Sequence, residues 1–124
     1  HATYVSLLDK NSGAINWNAS AQELENLVRG TYPWPAAFAS YQDKRIKILT
    51  AQAYSETIYS YLGLQDRKLI GQLISIQDKR LWIQTKNGVL AIDEIQLAGS
   101  RSMSTIECAH NFRIGEIWDN GKVT

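Results

Sequence analysis

Three polar tetrapeptides of nearly one form break up the middle of the chain: Gln42-Asp43-Lys44-Arg45, Gln65-Asp66-Arg67-Lys68 and Gln77-Asp78-Lys79-Arg80. Each precedes an apolar run, and the runs are too short for helices that bury one face. The spacing predicts strands over Ala37–Tyr41, Arg45–Ala51, Leu69–Ile76, Leu81–Thr85 and Val89–Leu97. Gln42-Asp43-Lys44 reads as the turn of a first hairpin, and Asn87-Gly88 as a tight two-residue turn of a second. Leu90 and Ile92 differ in parity from Ile95 and Leu97, so the last strand predicts a bulge at Asp93-Glu94.

Before residue 36 the pattern changes. Ser20 and Glu23 have capping-box spacing, and Ala21, Leu24, Leu27 and Val28 then share one helical face. Arg29 suits the negative end of that helix, and Gly30 is placed to stop it in a left-handed conformation. Pro33-Trp34-Pro35 then forces an extended path. Ser104 and Glu107 repeat the capping-box spacing, which predicts a short second helix to about Phe112, and Ile114–Trp118 reads as a closing strand. Tyr54, Ile58, Tyr61 and Leu62 have helical spacing that Gly63 could end, with a structured loop the alternative. The sum is a mainly β chain with two short helices. It suits a small, partly open Greek-key barrel of OB-like form. Strand and helix do not alternate, so no Rossmann domain is encoded.

The chain has 124 residues, enough for one core, and its net charge is +1. Electrostatics alone does not mark it as a nucleic-acid binder, although a local basic patch is compatible with that balance. Cys108 is the only cysteine, so no internal disulfide forms; this suits a cytoplasmic location. No apolar run nears the roughly 18–20 residues needed to span a bilayer, so no membrane partner is expected. The first residue is His1 rather than Met, which sets the expectation of a segment cut from something longer.

Several segments carry a family resemblance. They are Ala2-Thr3-Tyr4, Lys10, Ile15-Asn16-Trp17, Ser20-Ala21 leading to Leu27-Val28-Arg29, Pro33-Trp34-Pro35-Ala36-Ala37-Phe38, Asn87-Gly88-Val89-Leu90, and Ile95 to Met103. In order and approximate spacing, along nearly the whole chain, they resemble the C-terminal domain of methionyl-tRNA formyltransferases. Asn16 stands where that family usually has Asp, Ile70 precedes Gly71 where it has Pro, and Tyr54–Lys68 is longer than usual. The resemblance implies one domain over residues 1–124. Its partner would be an N-terminal catalytic Rossmann-like domain, absent from this chain, that binds 10-formyltetrahydrofolate and moves the formyl group to an amine. It also implies a barrel that contacts tRNA through basic residues, and so a part in translation initiation. Related enzymes formylate amino sugars or carrier-bound aminoacyl groups, and a free-standing binding module is a further alternative.

No catalytic or metal-ligating constellation is expected. His110 has no nucleophile or paired carboxylate at catalytic spacing, Cys108 reads as a buried thiol, and Asp93 and Glu94 point to opposite faces of a strand. Cys108 and His110 lack further zinc ligands of their own types. Trp17 and Trp34, with Pro33 and Pro35, are expected to anchor the helix to the barrel. Trp82 is opposite in parity to Leu81 and Ile83, which predicts an outward ring and an aromatic contact. Lys44, Arg45, Lys47 and Arg101 are the basic candidates for phosphate contact. The three tetrapeptides make either three solvated turns or, if they gather at one end, a basic rim.

Overall fold

The computed structural model describes residues 12–97, 101–104 and 108–122. Helix α1 (Ala21–Thr31) opens with the capping box: Ser20 Oγ accepts from the Glu23 amide at 3.1 Å, and Glu23 Oε1 accepts from the Ser20 amide at 3.0 Å. Both bonds satisfy donors that a helix start leaves orphaned. Gly30 does not stop the helix. It lies within the last turn, and Thr31 Oγ1 donates to the Leu27 carbonyl at 2.7 Å before the chain turns extended at Tyr32. The following segment is a compact turn rather than an extended arm, with cis bonds before Pro33 and Pro35.

The rest is one antiparallel sheet: β1 (Ala37–Tyr41), β2 (Lys44–Tyr54), β3 (Leu73–Gln77), β4 (Arg80–Gln84), β5 (Val89–Leu97) and β6 (Ser102–Ser104). Helix α2 (Ile58–Leu62) interrupts it between β2 and β3, ended by Gly63 in the left-handed conformation. The order is β1-β2-β5-β4-β3, with β6 on β5. Strands β3, β4 and β5 follow one another as hairpins, and a long connection sets β2 beside β5, which is Greek-key topology. The sheet is not closed by its own strands. Instead residues 115–121 run along both open edges, pairing Ile117 with Gln72 and Asp119 with Ser40. Only isolated bridges form there, in place of the closing strand expected over Ile114–Trp118.

The turns sort differently from their sequence signals. Two-residue turns with positive φ at both positions join β1 to β2 (Gln42, Asp43) and β3 to β4 (Asp78, Lys79), the type I′ form that matches strand twist. At Asn87-Gly88 only Gly88 has positive φ, and the loop between β4 and β5 holds four residues. The Asn87 carbonyl accepts from the Ala21 amide at 2.9 Å, so this loop is shaped by the start of α1. The irregularity predicted in β5 is present: pairing with β2 shifts around Thr50–Glu94, and Ile92 and Ile95 both reach the same core. Strand β3 begins only at Leu73, leaving Leu69 and Ile70 exposed. Of the second helix, Glu107 lies outside the described residues, Ser104 ends β6, and one 3₁₀ turn, Ala109–Asn111, is formed.

The sheet has an apolar layer on each face. The main core joins Trp17, Leu24 and Val28 to Ile48, Leu81, Ile83, Leu90, Ile92, Phe112 and Trp118. A smaller one on the opposite face joins Trp82, Ile74, Val89 and Ala91 to Tyr59 and Leu62 of the α2 segment. This second layer overturns the expectation for Trp82. Its parity is as predicted, but the face is covered: the ring is 1% exposed and Nε1 donates to the Gln77 carbonyl at 2.9 Å. Trp34 is a correction in the other direction. It is 58% exposed and is no buried anchor, whereas Trp17 is buried and Pro35 holds the base of the loop.

Candidate nucleic-acid-binding face

Register decides which cations can act together. Lys47 pairs with Phe38 on one side and Gln96 on the other, and Gln96 pairs with Ser102. Directly paired residues share a face, so Phe38, Lys47, Gln96 and Ser102 form one row across four strands. Arg45, two residues before Lys47, faces the same way. Its guanidinium carbon lies 3.7 Å from the centre of the Phe38 ring, and Nη2 donates to the Lys122 carbonyl at 3.3 Å. Arg101 stands at the head of β6, next to Ser102, with Nη1 donating to the Ser102 carbonyl at 3.2 Å. Two strand spacings, about 10 Å, separate the backbones of Lys47 and Ser102. Lys44 has the other parity and is exposed beside the turn. There, with Gln42, Asn111 and Phe112, it lines an open cleft of about 500 Å³. Glu94 also belongs to the outer face, accepting from Thr50 Oγ1 at 3.2 Å, and it tempers the positive charge.

The other two basic tetrapeptides do not join this row. Arg80 is bound into the sheet: Nε meets Asp93 at 2.7 Å, Nη1 the Tyr54 hydroxyl at 2.5 Å and Nη2 Gln52 at 3.0 Å. Arg67 sits at the far end of β2, donating to the Thr85 and Lys86 carbonyls and pairing with Glu56 at 2.9 Å. Strand β2 has 11 residues, so roughly 30 Å separates Arg67 from Lys44. The three turns therefore make no common rim.

Two of the residues singled out for chemistry, Asp93 and Cys108, have structural partners. Asp93 holds Arg80, Cys108 is buried with Sγ 3.6 Å from the Ser104 carbonyl, and His110 is exposed on the 3₁₀ turn. Among the described residues no three His, Cys, Asp or Glu side chains converge as a metal site, and no helix is long and apolar enough to cross a membrane. Sequence reasoning missed a polar knot beneath the cleft. The Tyr41 hydroxyl donates to Glu116, whose other oxygen accepts from Gln42 at 3.3 Å. Burial first, and that carboxylate second, push the Tyr41 hydroxyl up to about 12. Their separation of 75 residues left no local signal.

The fold is thus an open Greek-key sheet with a capped helix on its core face. Residues 7–113 match the family model for the formyl transferase C-terminal domain, and the chain belongs to that family. It is 34% identical over 118 residues to methionyl-tRNA formyltransferase of Acetivibrio thermocellus, covering 94% of this chain and 36% of the relative. The same enzyme of Thermodesulfovibrio yellowstonii is 36% identical over 118 residues, covering 95% and 35%. The chain thus spans about a third of the length of the curated relatives it matches. In shape it is similar to HypX from Aquifex aeolicus, solved in complex with tetrahydrofolic acid. The TM-score is 0.64 at 13% identity, over 82% of this chain and 17% of that one, a likeness of fold.

Proposed function

We propose that this domain is the accessory, RNA-holding part of an enzyme that transfers a formyl group from 10-formyltetrahydrofolate to methionyl-tRNA in the cytoplasm. The folate and the reacting groups belong to a catalytic domain that precedes it, and the 124-residue chain alone transfers no formyl group. The observation that carries the reading is the placement of Arg45 and Lys47 on one face of β2, with Arg101 beside Ser102 at the end of the row that Lys47 belongs to, in a chain related to methionyl-tRNA formyltransferases along 94% of its length. Such cations grip phosphates and read no bases, which suits a domain that positions an acceptor arm.

The test is a titration of tRNA at several salt concentrations. If Lys44, Arg45, Lys47 and Arg101 neutralise three or four phosphates, log affinity falls against log salt with a slope of about −3 to −4, taking the duplex coefficient. Lys47→Glu and Arg101→Glu each weaken binding with little regard to sequence. No binding at about 50 mM salt, or binding untouched by both reversals, overturns RNA holding. The acceptor is then another amine, an amino sugar or a carrier-bound aminoacyl group, a reading favoured by Glu94 on the face and by the net charge of +1.

A further inference from the structure

We propose that the Tyr32–Pro35 loop is the surface on which the catalytic domain of the same polypeptide docks, an inference that rests on the formyltransferase reading. Tyr32 is 55% exposed and Trp34 58%, with exposed Pro33 between them. Behind the loop lies a groove of about 400 Å³, walled by Glu25, Val28 and Arg29 of α1, with Arg29 paired to Glu25 at 2.5 Å, and by Leu49–Ala51 of β2. Single exposed apolar residues are ordinary, but Trp, Tyr and Arg gathered beside a groove are the residue types that anchor interfaces.

The loop is held in shape before any partner arrives. Pro35 and Ala36 are buried, and the Ala36 amide donates to the Thr31 carbonyl at 2.9 Å. The two rings are thus presented on a fixed frame, and little backbone freedom is lost on docking.

The segment that leads into α1 selects the occupant. The Gly13 carbonyl accepts from the Phe38 amide at 2.9 Å, and a Cβ at Gly13 would lie 2.2 Å from the Ala36 carbonyl oxygen. That segment is therefore in contact with the residues that end the loop. The match is to a C-terminal domain that makes up about a third of the relatives, so the rest of their polypeptide leads into this domain through the segment before α1. A domain tethered there meets the loop at an effective concentration in the millimolar range, and a small patch suffices to hold it.

Trp34→Cys, and separately Tyr32→Cys, are made in the 124-residue chain and in the full-length enzyme containing it. Each is labelled with a neutral, bulky maleimide, without folate or RNA, and read by peptide mass. Both positions are exposed, and a melting curve checks each fold. A catalytic domain docked about 90% of the time slows labelling about tenfold in the full-length enzyme relative to the isolated chain. Ile114→Cys, exposed elsewhere, labels equally in both. Equal rates at positions 32 and 34 in the two proteins overturn the proposal. So does protection in the isolated chain that grows with its concentration, which means a second copy, or protection that needs added tRNA. Formyl transfer is assayed separately: a full-length enzyme that formylates no amine sinks the functional reading, whereas unprotected thiols in an active enzyme sink the docking alone.

Discussion

Two tryptophans show how far burial departs from residue type. Trp82→Ala empties a packed site and is expected to cost about 3–5 kcal/mol, whereas Trp34→Ala in the isolated domain costs less than about 1 kcal/mol, both read from urea denaturation. The strand parity of Trp82 was legible in the sequence. Whether its face met water was not, because the cover comes from Tyr59 and Leu62, more than one connection away. The basic tetrapeptides teach the same lesson: one composition has three fates, set by partners such as Asp93, Tyr54 and Glu56 on distant segments. Tyr41 gives a pH signature. Its folded pKa, pushed up to about 12, exceeds the unfolded value near 10, so the neutral hydroxyl favours the folded state. This contribution is complete below pH 10 and is lost as the pH rises towards 12. Tyr41→Phe should flatten that part of an alkaline unfolding curve.

At the scale of elements, local chemistry is reliable where an element closes on itself. The start of α1 and the strand β5 were legible because capping and parity are short-range signals. Ser20→Ala should lower stability by about 1 kcal/mol in thermal or chemical unfolding. The hairpin joining β4 and β5 was legible as a place but not as a turn type, since the Asn87 carbonyl serves Ala21. Gly88 has φ +92, and a Cβ there would lie 2.6 Å from the Tyr54 carbonyl oxygen. Gly88→Val should therefore lower the melting temperature through a clash with β2 as well as through backbone strain. An unchanged melting temperature would mean that this approach of the two strands relaxes freely.

For the whole molecule, the open sheet depends on a segment that makes only isolated bridges to it. Residues 115–121 receive the Leu73 amide at Glu116 and exchange two bonds between Ser40 and Asp119, while Trp118 fills the main core. Burial of that one ring is worth about 3–5 kcal/mol, against a typical domain stability of about 5–15 kcal/mol. Truncation after Ile114 should abolish cooperative unfolding, seen as loss of the near-ultraviolet circular dichroism of the buried tryptophans. The electrostatic face is also a property of this scale: register brings Lys47 to Ser102, and the sequence offered only the cations.

The Gly121 amide donates to the Ile15 carbonyl at 2.8 Å. Segments near the two ends of the described residues thus meet, as chain ends do in many modules that can be moved between contexts. Splicing such a cassette into a longer polypeptide need not pull the sheet apart at either junction. A circular permutant should exploit the same geometry. Joined by a flexible bridge from residue 124 to residue 1 and reopened at the Asp78-Lys79 turn, it should keep every strand pairing except the reopened hairpin's turn, and should melt cooperatively.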